Sequence, residues 1–279
     1  MGMIAARFFP DVPAAYWPGH PEAVDARGRV VMAAGGLVVE RDGQTLMIDA
    51  GLGAISGDAR VGDVVVGTAN SGALPEVLAA LGHAPSDIGT VAFTHLHVDH
   101  TGWAFVPGND GVPRKFFPHA RYLVAADEWA PHARGELVPG APARSAVIEP
   151  LIAVHTRIAD GEEIFPGIRA LVTPGHSPGH TSYVISSSAA RIIVFGDAFH
   201  IPAQLAHPDW PSLPDVDGKA VLAARRKLIT ELERPGTLGF SYHFGDQAFG
   251  RVVRDAAGFP AWEPIPAVSV LQTPRLLPS

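Results

Sequence analysis

Four side chains with metal-binding chemistry lie within six residues of the sequence. The segment THLHVDH carries His95, His97, Asp99 and His100 directly after an apolar run. If Thr94 ends a strand, His95 and His97 point to the same side, because alternate residues of an extended chain share a face. A catalytic ion usually has three protein ligands and one open position. The segment therefore offers two ligands to each of two ions, and other segments must complete both sets.

Three further candidates lie where predicted strands end. His176 follows a strand in the turn TPGHSPGHT, Asp197 ends the apolar run in VFGDAFH, and His243 ends the strand in FSYHFG. Binding and catalytic residues concentrate in loops that a rigid scaffold positions. A buried carboxylate such as Asp197 is costly unless positive charge or hydrogen bonds meet it. A single histidine is more often structural than a metal ligand. The cluster from His95 to His100, together with the three candidates at strand ends, favours a metal site.

In this order, HxHxDH, PGHxPGH, GD and a late histidine resemble the metallo-β-lactamase-fold hydrolases, from about Val30 onward. The resemblance implies an α/β (α+β) fold, a four-layer αββα sandwich with a two-metal site at one edge. It also implies a ligand set in which His95, His97 and His176 bind the first metal, Asp99, His100 and His243 bind the second, and Asp197 bridges both.

The chemistry of the implied ligands indicates which metals they suit. Some relatives use a cysteine at one metal, but this chain contains none, so every implied ligand is a nitrogen or oxygen donor. Such donors suit Zn²⁺ and also Mn²⁺, Co²⁺ or Fe²⁺. We therefore expect two divalent metal ions, with zinc favoured.

Further roles follow from this two-metal chemistry. A hydroxide bridging two cations would attack a carbonyl or phosphoryl centre. Asp99 or Asp197 would accept its proton, and His200 would assist the leaving group. Asp49, in IDAG, is predicted to orient a ligand histidine, with a turn-capping carboxylate as the alternative, and His180 to brace its loop. The aromatic side chains expected to line the substrate pocket, with core packing as their alternative, are Trp103, Phe199 and Phe244.

Two positions bear on the substrate. Quorum-quenching lactonases of this fold place a tyrosine three residues after the bridging aspartate, where this chain has His200. The tract from Asp197 to His243 instead resembles the branch that contains methyl parathion hydrolase. That branch follows its late histidine with a Pro-Phe-Pro-Gly turn, whereas FGDQAFG follows His243 here. The expected substrate is therefore a small ester, a lactone or a phosphotriester.

Other functions on the same fold stay open. A glyoxalase-II-like thioesterase should carry basic groups for glutathione carboxylates, and none adjoin the motifs. A β-lactamase is disfavoured because the N-terminus lacks a signal-peptide pattern. A flavodiiron-type oxygen reductase would replace a ligand and carry a flavin domain. The non-enzymatic alternative is a catalytically degenerate metal-binding module, which would be expected to have lost ligands.

Composition narrows the class of partner. The 279 residues carry a net charge of −7, with 47% apolar and 18% charged residues. The basic footprint that nucleic acid requires is missing, which disfavours a nuclease and an anionic membrane surface. No apolar run approaches the ~18 residues of a spanning helix. We expect a cytoplasmic protein that acts on a small-molecule substrate and binds neither nucleic acid nor a membrane. The sequence leaves open whether the protein forms a homodimer.

Hydrophobic period and turn signals predict the elements that position these residues. Arg29–Glu40 and Gln44–Gly51 are predicted as two strands around an RDG turn, and Ala73–Gly82 as a helix. Residues 1–28 are predicted as an N-terminal extension over the pocket or at a dimer interface, and 29–279 as one domain. Further predicted elements are strands at Thr90–His95, Ala120–Ala125, Ile168–Thr173, Ser182–Ser187, Arg191–Asp197 and Thr237–Phe244, and a helix at Lys219–Arg234.

Overall fold

The computed structural model describes residues 1–188 and 190–266, in which strands outnumber helices. The strands are β1 (Gly2–Ile4), β2 (Arg29–Val31), β3 (Leu37–Arg41), β4 (Gln44–Ile48), β5 (Ser56–Val61), β6 (Val64–Asn70), β7 (Thr90–Ala92), β8 (Phe105–Pro107), β9 (Pro113–Lys115), β10 (Arg121–Ala125), β11 (His155–Ile158), β12 (Glu163–Phe165), β13 (Ile168–Val172), β14 (Thr181–Ser186), β15 (Arg191–Val194), β16 (Thr237–Phe240), β17 (Phe249–Arg254) and β18 (Pro260–Pro264). The α-helices are α1 (Ala5–Phe8), α2 (Tyr16–Gly19), α3 (Leu74–Ala80), α4 (Val98–Thr101), α5 (Ala126–Ala133), α6 (Glu149–Ile152), α7 (Ala203–Ala206) and α8 (Gly218–Leu232).

Two sheets packed face to face form the centre of the molecule. The first has the order β11-β10-β7-β4-β3, and the second runs in sequence from β12 to β18. Leu46 and Leu123 of the first sheet share a buried core with Tyr183 and Phe240 of the second. Helices cover the outer faces, α3, α5 and α6 on the first sheet and α8 on the second. This arrangement confirms the predicted αββα sandwich.

A third sheet, of order β2-β1-β6-β5, is built partly from the N-terminal residues. β1 pairs with β2 on one side and β6 on the other. Met3, Phe8 and Val66 form a separate buried cluster that also includes Ile201 of the loop after Asp197. Residues 1–28, expected as an extension, therefore supply a strand and part of a core. The β5–β6 hairpin escaped prediction because SGDARV is mostly polar and largely exposed.

Several predicted strands are shorter than expected. The predicted strand Arg29–Glu40 is divided between two sheets, because β2 ends at Val31 and β3 begins at Leu37. Gly36 lies in the connection, where a Cβ atom would be 2.4 Å from the carbonyl oxygen of Asp49. β15 and β16 also end early, so that Asp197 and His243 lie in short 3₁₀ turns.

α8 is the longest helix and carries one clear capping interaction. The side chain of Asp217 accepts hydrogen bonds from the backbone N–H groups of Lys219 and Ala220, which fixes the start of the helix. Among the described helices none has the length and apolar content needed to cross a bilayer. Residues 267–279 of the predicted domain lie outside the described residues.

Candidate metal centre

The side chains predicted as metal ligands converge at one edge of the sandwich. Two come from the segment after β7, two from α4, and the others from the loops that follow β13, β15 and β16. All are buried except Asp99, whose side chain is 18% exposed. The residues brought together are His95, His97, Asp99, His100, His176, Asp197 and His243.

Their nitrogen and oxygen atoms form two clusters, and within each cluster the atoms lie within 4.8 Å of one another. Asp197 belongs to both clusters. Its Oδ2 lies 3.3 Å from Nε2 of His176, whereas its Oδ1 lies 3.1 Å from Nε2 of both His100 and His243. One carboxylate thus presents a different oxygen to each cluster, and the grouping is the one that the family resemblance implies.

The atoms at this centre fit divalent cations. Nε2 of His95, His97 and His100 and Oδ1 of Asp197 are buried and form no hydrogen bond within the described residues. A buried polar atom without a partner costs about 1–3 kcal/mol. Imidazole and carboxylate are also the donors that Zn²⁺ accepts. The unpaired atoms and the donor chemistry together are consistent with two cations.

Asp49 holds His100 in position. Nδ1 of His100 donates to Oδ2 of Asp49 at 2.8 Å, which turns Nε2 toward Asp197. The backbone N–H and hydroxyl of Thr94 also donate to the Asp49 carboxylate, both at 2.7 Å. Burial raises the pKa of Asp49, an effect that His100 and Thr94 oppose. Asp49 has φ of 60°, an uncommon backbone conformation that is often retained at functional sites.

Asp215 and Arg225, which sequence analysis did not single out, hold His176. Nδ1 of His176 donates to Oδ1 of Asp215 at 2.9 Å. Arg225 is completely buried and donates to Oδ2 of Asp215 at 3.1 Å and to the carbonyl of Ala198 at 2.6 Å. Burial alone would raise the pKa of Asp215, but His176 and Arg225 hold that pKa well below its usual range.

A sequence signal for Arg225 existed. It lies four residues after Val221 and three before Leu228, on the apolar stripe of α8. A charged side chain on the buried face of a helix requires a buried partner. An arginine at this position therefore indicates an acidic partner nearby, and the loop before α8 contains Asp215.

Glu128 is a second buried carboxylate that the sequence did not reveal. Its Oε1 accepts the N–H of Leu96, between two of the clustered histidines, at 2.8 Å. Its Oε2 accepts the hydroxyl of Ser177 at 2.6 Å and the N–H of Gly179 at 3.0 Å. Glu128 therefore ties the first histidine segment to the PGHSPGH turn. Gly179 must be glycine here, because a Cβ atom would lie 2.0 Å from the backbone nitrogen of Glu128.

The side chain of His180 contacts the metal centre through the backbone N–H of Asp197. It lies in neither cluster around Asp197 that the described residues form. Its Nε2 accepts the backbone N–H of Asp197 at 3.0 Å, and its Nδ1 lies 3.2 Å from the carbonyl of Thr173, to which it donates. Burial, followed by the charge of His176, lowers the pKa of His180 to about 3. A neutral ring therefore positions the loop that carries Asp197.

The neutral state of His180 predicts how stability depends on pH in the metal-free protein. An unfolded histidine takes up a proton near pH 6.5, whereas folded His180 resists protonation down to about 3. The free energy of unfolding therefore falls as the pH falls through this window, by up to about 1.4 kcal/mol per pH unit for one proton. His180→Gln keeps an acceptor for Asp197 and removes the titration, so urea denaturation should show a shallower pH dependence; an unchanged slope would contradict this role.

A cavity of about 140 Å³ opens on both clusters. Part of its wall is formed by Asp99, Asp197, His200 and other residues of the centre. The rest is mainly apolar and comes from the third sheet and its neighbours, including Met3, Phe8, Met32, Leu52, Ile55, Val61 and Val66.

The aromatic residues expected in the pocket do not line the cavity over the two clusters. Trp103 borders a different cavity, and Phe199 is completely buried in the core beneath α8. Phe244 packs in the same core and borders a neighbouring cavity that also reaches His200 and His243. None of the three is among the described residues lining the cavity over the clusters. Phe199 and Phe244 thus show the core packing that was the alternative for these residues, because the side chain next to a strand-end ligand often points into the core.

His200 lies directly against the centre. Its Nε2 is 3.2 Å from Oδ2 of Asp197, and its ring is parallel to that of His243, with centroids 5.2 Å apart. Burial lowers the pKa of His200 to about 4, although Asp197 opposes the shift. The backbone N–H of His200 donates to Oε1 of Gln204 at 2.7 Å, which fixes the start of the following turn.

Comparison with curated proteins finds lactonases. An N-acyl homoserine lactonase of Bacillus cereus is 28% identical over 120 residues, which cover 42% of this chain and 41% of that protein. One of Bacillus thuringiensis is 26% identical over 168 residues, covering 56% of this chain and 60% of that protein. The matched part of the chain thus spans about half the length of these relatives.

Comparison with solved structures finds the same fold. AidC, a dizinc quorum-quenching lactonase in complex with a product, superposes with a TM-score of 0.75 at 21% identity, covering 95% of this chain and 91% of that chain. A probable metal-dependent hydrolase from Staphylococcus aureus gives 0.76 at 20% identity, covering 95% and 93%. Residues 36–246, most of the chain, match the family described as the metallo-beta-lactamase superfamily. The chain therefore belongs to the metallo-β-lactamase superfamily.

Proposed function

We propose that this protein is a dinuclear metal-dependent hydrolase that opens small lactones or esters carrying an apolar substituent. The observation that carries the proposal is Asp197, which lies against an apolar cavity and turns one oxygen toward each cluster. His95, His97 and His176 would hold one cation, Asp99, His100 and His243 the other, and Asp197 would bridge them. When bound, two divalent cations polarise the oxygen of a carbonyl or phosphoryl group and acidify water.

The protein's own residues supply positioning and proton transfer. Asp99 is the one partly exposed carboxylate of the centre and faces the cavity, so it can accept a proton from the attacking water. The buried Asp49, Asp215 and Glu128 orient the ligands through the hydrogen bonds described above. Such fixed partners hold catalytic groups without reorganisation during the reaction. The apolar wall around the cavity excludes bulk water from the reacting bond.

Two observations favour a lactone with an acyl substituent. The apolar side chains that line the cavity, among them Met3, Phe8 and Val66, would bury a hydrocarbon group beside the centre. The similar proteins of Bacillus cereus and Bacillus thuringiensis are N-acyl homoserine lactonases. Zinc is the favoured metal, because six nitrogen and carboxylate donors around a shared aspartate suit it and the similar structure of AidC is described as dizinc.

A second candidate, phosphotriester hydrolysis, is favoured by one residue. His200 stands where lactonases of this fold place a tyrosine, and it directly borders the cavity. A neutral imidazole can donate a hydrogen bond to a phosphoryl oxygen as well as to a carbonyl oxygen. The two substrate classes therefore have to be separated by rate measurements on the same preparation.

A substrate panel tests the proposed function. Protein reconstituted with Zn²⁺, Mn²⁺ or Co²⁺ is assayed with an N-acyl lactone, p-nitrophenyl esters, a paraoxon-type triester, a β-lactam and lactoylglutathione. We expect metal-dependent turnover with the acyl lactone preferred. Preference for the β-lactam or the thioester would replace the proposed substrate class, and metal-loaded protein inactive on the whole panel would favour a degenerate binding module.

We infer that His200 acts as a hydrogen-bond donor to substrate, because it borders the cavity beside Asp197 and burial lowers its pKa to about 4, which keeps the ring neutral at neutral pH in the metal-free protein. His200→Leu removes the donor and should lower kcat/KM by about 10²-fold, the size of effect seen when one transition-state donor is lost. His200→Gln retains an N–H near the position of Nε2 and should recover most of that loss. If glutamine were as inactive as leucine, a titrating imidazole would be required.

A further inference from the structure

A second cavity, of about 450 Å³, lies beside α5 and the edge strand β11. It shares no lining residue with the cavity over the metal centre. The residues that line it in the described part of the chain include no carboxylate, although the chain as a whole has a net charge of −7. They are Trp129, His132, Ala133, Arg144, Ile152, His155 and Arg157.

The buried polar group of this cavity is His132. The residue is 3% exposed, and its Nε2 forms no hydrogen bond with the described residues. Burial, followed by the charge of Arg144, lowers the pKa of His132 to about 4, so the ring is neutral at neutral pH. A neutral imidazole still carries one N–H. Because Nε2 is itself shielded from solvent, a ligand oxygen would reach it only if the ring shifted, and the hydrogen bond would then remove the cost of leaving that nitrogen unpaired.

Two guanidinium groups accompany His132. Arg144 donates to the carbonyl of His132 at 3.3 Å, and its Nε is 3.6 Å from a carboxylate oxygen of Glu149 in a pair that is about half exposed. Such exposed pairs are weak, so Arg144 can exchange this partner for another anion. Arg157 is exposed and forms no side-chain hydrogen bond or ion pair with other described residues. The cavity therefore holds positive charge that the protein itself only partly neutralises.

The remaining wall is rigid and aromatic. The ring of His155 packs on Trp129 with centroids 3.9 Å apart, and its Nδ1 donates to the carbonyl of Leu151 at 2.7 Å. With that proton on Nδ1, Nε2 of a neutral His155 ring is an acceptor and gives no hydrogen bond to an anion. The two guanidinium groups are therefore the side chains of this wall that suit an anion with several acceptor oxygens.

We propose that this cavity binds a small phosphate-bearing anion. Guanidinium groups form two parallel hydrogen bonds to phosphate oxygens, and their geometry is matched to such anions. A phosphate offers the two arginines more acceptor oxygens than a carboxylate, which has only two. The ligand is either free inorganic phosphate or the phosphate group of a small monoester, and the chemistry of recognition is the same for both.

Calorimetric titration tests this proposal on the metal-loaded protein at constant ionic strength. Inorganic phosphate and phenyl phosphate are titrated separately into wild type, the double variant Arg144→Gln/Arg157→Gln, and the control Arg134→Gln/Arg169→Gln. The control arginines pair with Glu136 and Glu163 on the surface and line neither cavity. We expect wild type and control to bind with a dissociation constant of about 1 mM or lower. The double variant should bind at least about tenfold more weakly.

The two ligands and the variants distinguish the outcomes. Tighter binding of phenyl phosphate than of phosphate in wild type, lost in the double variant, would identify a monoester site, and equal binding would identify a phosphate site. Phosphate can also bind metal ions, so binding that is unchanged in the double variant would place the anion elsewhere and overturn the proposal. Absence of binding to wild type would overturn it as well. Because both substituted arginines are surface residues, melting temperatures should match and exclude misfolding.

Discussion

Asp197→Asn is expected to lower the rate of hydrolysis of the best substrate by at least about 10²–10³-fold. This loss is larger than the 10–100-fold that is typical when a residue that only orients a metal ligand is changed. Asp197 faces three of the proposed ligand histidines at 3.1–3.3 Å through two different oxygens. An amide supplies one neutral oxygen and one NH₂ group, which repels a cation. The substitution should therefore damage both half-sites at once and reduce bound metal below two ions per chain.

Metal content and activity should be measured on the same preparation of this variant. Asp63→Asn is a matched control, because Asp63 is an exposed carboxylate in the β5–β6 turn and lines neither cavity. It should retain two ions and wild-type turnover. If Asp197→Asn kept two tightly bound ions and near wild-type rates, Asp197 would not be the shared ligand, and the proposed function would need another centre.

The clustered histidines could be predicted from sequence because their signal is local. Four candidates lie within six residues, and the others follow apolar runs that end at the same edge of a sheet. The partners that orient them are not local: Asp49 is 51 residues from His100, and Asp215 is 39 residues from His176. The sequence around a single loop carboxylate does not indicate which distant imidazole it will contact in the folded protein. Asp49 could be proposed only because it lies in a turn motif that the family resemblance supplied.

The cavity was predicted less well than the centre for a related reason. Its apolar wall comes from the third sheet, in which β1 near the N-terminus pairs with β6, a strand far from it in sequence. The short strand β1 shows no alternating pattern in three residues, so it was assigned to an extension. Pairings between strands that are distant in sequence depend on packing in the folded protein, so local β-propensity predicts them poorly.

The buried pair of Arg225 and Asp215 allows a prediction about stability that does not depend on catalysis. Arg225→Met fills similar space but removes the donors to Asp215 and to the carbonyls of Ala198 and Trp210. It leaves a buried carboxylate with one charge partner fewer and the carbonyl of Ala198 unpaired, whereas the carbonyl of Trp210 keeps the amide of Gln204 as a donor. Removal of one member of a buried ion pair typically costs about 3–5 kcal/mol. We expect a loss of that size in the free energy of unfolding.

Urea denaturation of the metal-free protein measures this loss without the contribution that bound metal makes to stability. Arg226→Met is the matched control, because Arg226 is the exposed neighbour on α8, and surface substitutions of this kind usually stay within about 0.5 kcal/mol. The double variant Asp215→Asn/Arg225→Met removes the stranded charge, so it should be more stable than Arg225→Met alone. An Arg225→Met variant as stable as Arg226→Met would show that the pair is dispensable for folding. In that case the remaining role of Asp215, holding His176, should still appear as metal affinity weakened by about 10–100-fold in Asp215→Asn.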